Sequence, residues 1–198
     1  MMGARGIMIG VCIGGMSACL AADPPVVRAR YLMGTRCTAS AYGDPAPAVR
    51  LVHESLEAIA GLEARISTWD RGSELSRANR AAGAGVAAIR PELAALLDRS
   101  LALARVTGGA FDPTVGALVA AWDLRGDGRV PDPEALARAR EAVGFEKVRL
   151  DPDSGTLEYA VPGLWMELGG IGKGLALERA AVPLRAPDVS AALLDFGG

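Results

Sequence analysis

The sequence predicts an α+β protein, and three observations predict it. Stretches of helical hydrophobic period alternate with short β-prone stretches; some strands follow each other as hairpins while others are separated by whole helices; and 198 residues, 51% of them hydrophobic, suffice for one globular core. Residues 31–42 are β-prone and alternating, and Gly43-Asp44-Pro45 supplies the turn that closes them. From Pro47 the period changes: Val49, Val52, Leu56, Ile59 and Ile66 recur at helical spacing, with Arg50, Glu54, Glu57 and Arg65 on the wet face. The single histidine, His53, falls inside this helix and offers no partner for a Ser-His or Cys-His catalytic pair. Ser67 to Asp70 interrupts the helix, and Ser73 caps a short one over residues 74–82. Pro91 opens a third helix that turns Leu93, Leu97, Leu101 and Ala104 inward until Gly108. Asp132 caps a fourth with Pro133 at its first position, and Gly144 is expected to close it. Residues 147–151 and 156–161 read as a hairpin across Pro152-Asp153-Ser154-Gly155. Residues 164–168 are then expected as a strand, 171–182 as a helix that Pro183 ends or kinks, and 189–196 as a last strand. Gly197-Gly198 follows that apolar strand directly, so the sequence reads as the N-terminal part of a longer protein, C-terminally incomplete.

Net charge is −2 and the 21 basic residues are scattered, which excludes the electrostatic footprint of a nucleic-acid binder. The first 22 residues differ in kind. Arg5 precedes an apolar stretch over 7–18, small residues follow, and Asp23-Pro24-Pro25 ends the segment, as in a bacterial secretory signal too short to span a bilayer. Met16-Ser17-Ala18-Cys19 resembles a lipoprotein box in which Cys19 would carry the lipid anchor; the other reading is cleavage after Ala21 or Ala22. Residues 23–198 would then be one exported domain, with Cys37 its lone thiol, expected to be a small buried residue.

The segment from Trp165 to Arg179 reads WMELGGIGKGLALER: an apolar strand ending on Glu167, four glycines, and a helix with Lys173 near its start. Unpartnered N–H groups and the macrodipole at a helix start attract an anion, and Lys173 adds a full charge. The Walker pattern fails at Glu167 and Gly174, and the dinucleotide fingerprint fails at Leu175. A tight glycine turn with a solvated lysine is the other reading. In Gly108-Gly109-Ala110-Phe111-Asp112-Pro113-Thr114, an acid is pinned beside proline, either to accept from a polar ligand edge or to cap a helix.

Met33-Gly34-Thr35, STWDRGSELSRAN from Ser67, GGAFDPTVGALVAAW from Gly108 and ELGGIGKGLALERA from Glu167 occur in that order, with LLDFGG at the end. Together they resemble the ApbE family of FAD:protein FMN transferases, exported bacterial flavin transferases that are often lipoproteins. The resemblance implies an ApbE-like, T-fold-related mixed sheet with packed helices, FAD as substrate, and Mg2+. It also implies transfer of FMN to a threonine of a periplasmic or membrane flavoprotein, with release of AMP. Residue by residue, Lys173 matches the FAD-contacting lysine, and Gly170 the residue whose backbone carbonyl ligates the metal. Ala110, Phe111 and Asp112 match a segment that contacts FAD, and Met33 and Trp69 match apolar contacts to the ring. Glu167 stands where the family has Asp, one methylene longer. The catalytic and remaining metal-ligating side chains are expected in a C-terminal half that these residues do not include. A periplasmic FAD-binding protein, an FAD pyrophosphatase and an inactive remnant are the rival readings.

Overall fold

A computed structural model describes residues 24–197; the expected signal segment over 1–22, with Cys19, lies outside the described residues. The chain opens with β1 (Val26–Leu32) and β2 (Thr35–Gly43), an antiparallel hairpin in which Val26 faces Ala41 and Leu32 faces Thr35. The single strand expected over 31–42 is thus two, because Met33 and Gly34 take φ of 52° and 74° and reverse the chain in two residues. Met-Gly is not one of the residue pairs that announce such a turn, so the alternation of both strands read as one.

Asp44 caps α1 (Pro45–Ile66), its carboxylate accepting from the Ala46 N–H, so the helix begins before Pro47. Leu51, Val52, Leu56, Ile59, Leu62 and Ile66 form its buried stripe. Ser73 caps α2 (Glu74–Ala82) as expected, accepting from the Ser76 N–H at 3.0 Å. A short strand β3 (Ala87–Ala88) leads to α3 (Pro91–Val106), and α4 (Gly116–Ala121) is a helix the sequence did not announce. Asp132 caps α5 (Pro133–Glu141); Gly144 lies beyond its end, at φ 140°, and donates its N–H to Thr114 Oγ1 instead. β4 (Val148–Asp151) and β5 (Thr156–Tyr159) are the expected hairpin. After α6 (Gly169–Ala181), Pro183 opens a single 3-10 turn, and β6 (Val189–Phe196) is the last strand.

The class is α+β, but there is no single mixed sheet among the described residues. Two three-stranded sheets, β1-β2-β6 and β3-β5-β4, are antiparallel throughout. Their core is continuous. α1 lies against β1 and β2 on one side and α6 on another, and the buried Ser55 hydroxyl donates to the Ala180 carbonyl at 2.6 Å to tie the two helices. Cys37 is fully buried against this core, where burial pushes its thiol pKa up, in keeping with a small apolar residue.

Residues 164–167 lead into the helix cap at Leu168, with Trp165 in a single parallel bridge to Val115, and Leu164, Met166 and Leu168 are buried in strand-like alternation. They join neither sheet. The Asn79 side chain takes the place of a neighbouring strand: its amide donates to the Met166 carbonyl at 2.9 Å and its oxygen accepts from the Met166 N–H at 2.9 Å. Tyr159 donates its hydroxyl to the same oxygen at 2.5 Å, and Glu167 N–H donates to the Pro113 carbonyl at 2.7 Å. Burial of Asn79 and Tyr159 makes these bonds costly to lose.

Asn79→Ala removes both amide partners of Met166 and is expected to lower stability by roughly 2–3 kcal/mol, read as a lower urea midpoint with unchanged slope. A second expectation concerns Glu74. Burial pushes its carboxyl pKa up, but hydrogen bonds from Arg90 and the charges of Arg90 and Arg65 hold it below the ordinary value of 4.5. A carboxylate depressed in the fold stabilises above its unfolded pKa and loses that contribution as pH falls through the folded one. Wild type should therefore exceed Glu74→Gln in stability above about pH 5, with the gap closing at lower pH in parallel urea titrations.

Candidate functional site

A cleft of about 510 Å³ opens where the β1–β2 turn, the end of α1, the Ser67–Trp69 loop and the start of α6 meet. Met33, Trp69, Glu167 and Lys173 all line it. Four residues distant in sequence are therefore brought to one place. Met33 is fixed by its own turn and by its N–H, which donates to Glu63 Oε1 at 2.7 Å. Its methyl lies against α6, where a Cβ on Gly172 would stand 3.1 Å from Met33 Cε, so glycine there lets the hairpin tip approach the helix. Tyr31 and Trp69 stand at the mouth with 76% and 68% of their surface exposed, which leaves two aromatic faces available to a flat ligand.

Glu167 holds three partners. Its Oε1 accepts from the Gly169 N–H at 2.9 Å; its Oε2 accepts from Arg125 at 2.6 Å and from the Thr68 hydroxyl. The helix start expected to receive an external anion already has one, since Glu167 occupies it. The Ile171 and Gly172 N–H groups are taken by the Leu168 carbonyl. The glycines also prove to be helical rather than a turn: α6 begins at Gly169, and none of Gly169, Gly170, Gly172 and Gly174 has a positive φ. Lys173 is the fifth residue of the helix, exposed, with its side chain at the cleft.

Ala110, Phe111, Asp112 and Gly170 lie elsewhere. Phe111 packs behind α6, where a Cβ on Gly170 would come within 3.3 Å of its ring. Gly170 lines a separate groove between α3 and α6, with Arg99, Leu103 and Glu178. Asp112 turns its carboxylate inward: Oδ1 accepts from Thr114 N–H at 2.8 Å and from Thr114 Oγ1 at 2.6 Å, and Oδ2 from Phe145 N–H at 3.1 Å. It does not cap a helix either, because α4 begins only at Gly116. Its bonds make an Asx-type pin that fixes the loop between α3 and α4. Ala110 is exposed beside it.

Sequence reasoning missed Arg125. Its guanidinium donates to the Thr68 carbonyl, to Thr68 Oγ1 and to Glu167, and its Cζ lies 5.3 and 4.8 Å from the centroids of the Trp69 and Trp165 rings. The flanking Gly126-Asp127-Gly128 announces a turn, but nothing in the sequence says where the arginine on it points.

The volume of the cleft falls in the range of small-molecule sites; Tyr31, Trp69, Met33, Ile66 and Leu168 line it, and its charged residues are Glu63, Glu167 and Lys173. Magnesium fits less well. Among the described residues no group of three or more His, Cys, Asp or Glu could hold a metal, Glu167 is committed to protein partners, and Gly170 faces the other groove. These residues do not assemble a six-oxygen site.

The fold and cleft define a class, an α+β domain with a cleft lined by aromatic and apolar side chains and by Lys173. The profile of the ApbE family matches residues 33–198, and the chain belongs to the ApbE family. It is 34% identical over 181 residues to an FAD:protein FMN transferase of Treponema pallidum, covering 86% of this chain and 49% of that protein. It is 33% identical over 153 residues to one of Haemophilus influenzae, covering 74% and 44%. Among solved structures it is similar to the ApbE protein of Thermotoga maritima, with TM-score 0.79 and 26% identity over 88% of this chain and 57% of that one. It is also similar to the flavin transferase ApbE of Vibrio cholerae, with TM-score 0.75 and 26% identity over 88% and 58%. The chain spans about half the length of the curated relatives it matches.

Glu167→Ala leaves the Gly169 N–H without its carboxylate acceptor and removes one of the three acceptors of Arg125. The expected result is a loss of roughly 1–3 kcal/mol in urea denaturation, with Glu167→Gln losing less because an amide oxygen still accepts.

Proposed function

We propose that this protein is the flavin-holding part of an FAD:protein FMN transferase, which moves FMN from FAD to a threonine hydroxyl of a target flavoprotein and releases AMP. The observation that carries this reading is the convergence of Met33, Trp69 and Lys173 on one cleft. The names of the relatives support it: each is an FAD:protein FMN transferase. In the transfer, a bond forms from the threonine oxygen to the FMN phosphorus as the pyrophosphate bond breaks, and charge builds on the leaving AMP. Lys173 offers positive charge at the edge of the cleft that receives the ring, which suits the pyrophosphate beyond it. Met33, Tyr31 and Trp69 supply surface for the isoalloxazine. Mg2+, when bound, would neutralise phosphate oxygens. Gly170 lines the other groove, so no step is assigned through the metal. The reading also includes export. Residues 1–22 would direct the protein across the cytoplasmic membrane, with Cys19 as lipid anchor, so that the acceptor is a periplasmic or membrane flavoprotein.

The test incubates the full-length protein with FAD, Mg2+ and a flavoprotein bearing an acceptor threonine. Mass spectrometry should find an FMN adduct on the threonine, and chromatography should find AMP. FMN and AMP without adduct would mean hydrolysis, and FAD binding without either product a binding protein; each would overturn transfer. Lys173→Ala should weaken FAD binding about tenfold, measured by quenching of flavin fluorescence, while Lys173→Arg retains most of it. Equal affinity in Lys173→Ala would assign the lysine to solvent.

A further inference from the structure

We propose that Arg125 is the positioning residue that makes Trp69 a wall of the cleft. The loop that carries it closes on its own backbone: the N–H groups of Gly126 and Gly128 donate to the Asp123 carbonyl at 3.0 and 3.2 Å, and Arg129 N–H donates to the Trp122 carbonyl at 2.9 Å. Asp123 takes φ of 52° in the same loop. Arg125 is thus delivered from a closed turn rather than from a loose segment. Its fork then ties together two segments 99 residues apart in sequence. It donates to the carbonyl and to the hydroxyl of Thr68, the buried residue next to Trp69, and to Glu167, next to Leu168 and the start of α6.

Trp69 would otherwise have little to hold it. Its ring is 68% exposed, and an exposed indole samples several rotamers unless a neighbour favours one. The guanidinium is that neighbour, its Cζ 5.3 Å from the Trp69 ring centroid and 4.8 Å from that of Trp165. Trp165 is itself half-buried and belongs to the segment held by Asn79, so it backs the arginine against a fixed support. The guanidinium thus meets both a half-buried indole on the segment held by Asn79 and an exposed indole that lines the cleft. Lysine could keep the charge beside Glu167. It has neither the planar face nor the forked donors, so it could not keep both ring contacts.

The consequence for ligand binding rests on the flavin reading above, whereas the effect on Trp69 itself does not. The experiment separates them. In the ligand-free protein, Arg125→Lys should reduce the near-ultraviolet circular dichroism of tryptophan while leaving the far-ultraviolet spectrum unchanged, and Trp69→Ala should remove the same bands. Wild-type near-ultraviolet bands in Arg125→Lys would overturn the proposal, as would loss of the far-ultraviolet signal with them, which would make Arg125 a folding residue. With FAD as probe, Arg125→Lys should weaken binding about tenfold in the wild-type background and have no effect in the Trp69→Ala background. Additive losses in the two backgrounds would overturn action through Trp69. If FAD leaves the wild-type protein untouched, the flavin reading fails, and the dichroism of ligand-free Arg125→Lys still decides the role of the arginine.

Discussion

The pairing of the Asn79 amide with both backbone groups of Met166 is the constraint from which the cleft follows. A short segment with its alternate residues buried beside two sheets, but paired to neither, needs another source of hydrogen bonds. Asn79 provides it because a primary amide presents a donor and an acceptor at the spacing of a peptide group. Once Met166 is fixed, alternation fixes its neighbours: Leu164, Met166 and Leu168 turn into the core, and Trp165 and Glu167 face the other way. Those two residues hold Arg125, and Leu168 and Glu167 start the helix that brings Lys173 to the cleft.

Charge within the site is balanced before any ligand arrives. Glu167 serves at once as the anion at the start of α6, the acceptor for Arg125 and the partner of Thr68. A carboxylate there complements the positive end of the helix dipole and the guanidinium together. Its extra methylene relative to aspartate gives the reach to fold one oxygen back to the Gly169 N–H while the other meets Arg125. The exposed cation of Lys173 is in a different position: it faces the cleft, where an anionic ligand would complete its pairing.

The two sides of α6 do different things. Toward the cleft, Gly172 makes room for the Met33 methyl, and the β1–β2 turn can close on the helix. On the other side, Gly170 packs near Phe111, whose loop is pinned through Asp112 to Thr114 and Phe145. The Ala110-Phe111-Asp112 block thus supports the helix from behind, and its carboxylate is spent on the loop rather than turned to the cleft. That division explains how blocks far apart in sequence converge on one helix while only some of their side chains reach the same cavity.

The residues alone determined the α+β class, the caps at Ser73 and Asp132, the β4–β5 hairpin, the buried stripe of α1 and the blocks that carry the ApbE resemblance. Each is a local property, written in periodicity, in a capping side chain or in a short run of letters. Tertiary structure alone decided the Met33-Gly34 reversal, the separation into two antiparallel sheets, the strand-like segment that pairs with a side chain, and the inward turn of Asp112. It also decided that the glycines of α6 are helical and that Glu167 fills the helix start. Arg125 is the sharpest case: fifty-seven residues from Thr68 and forty-two from Glu167, it has no local pattern to mark it. Its role exists only once the turn, the segment held by Asn79 and the aromatic rings are folded against one another, because a hydrogen bond or a ring contact between distant residues is a property of the packed chain and not of any stretch of it.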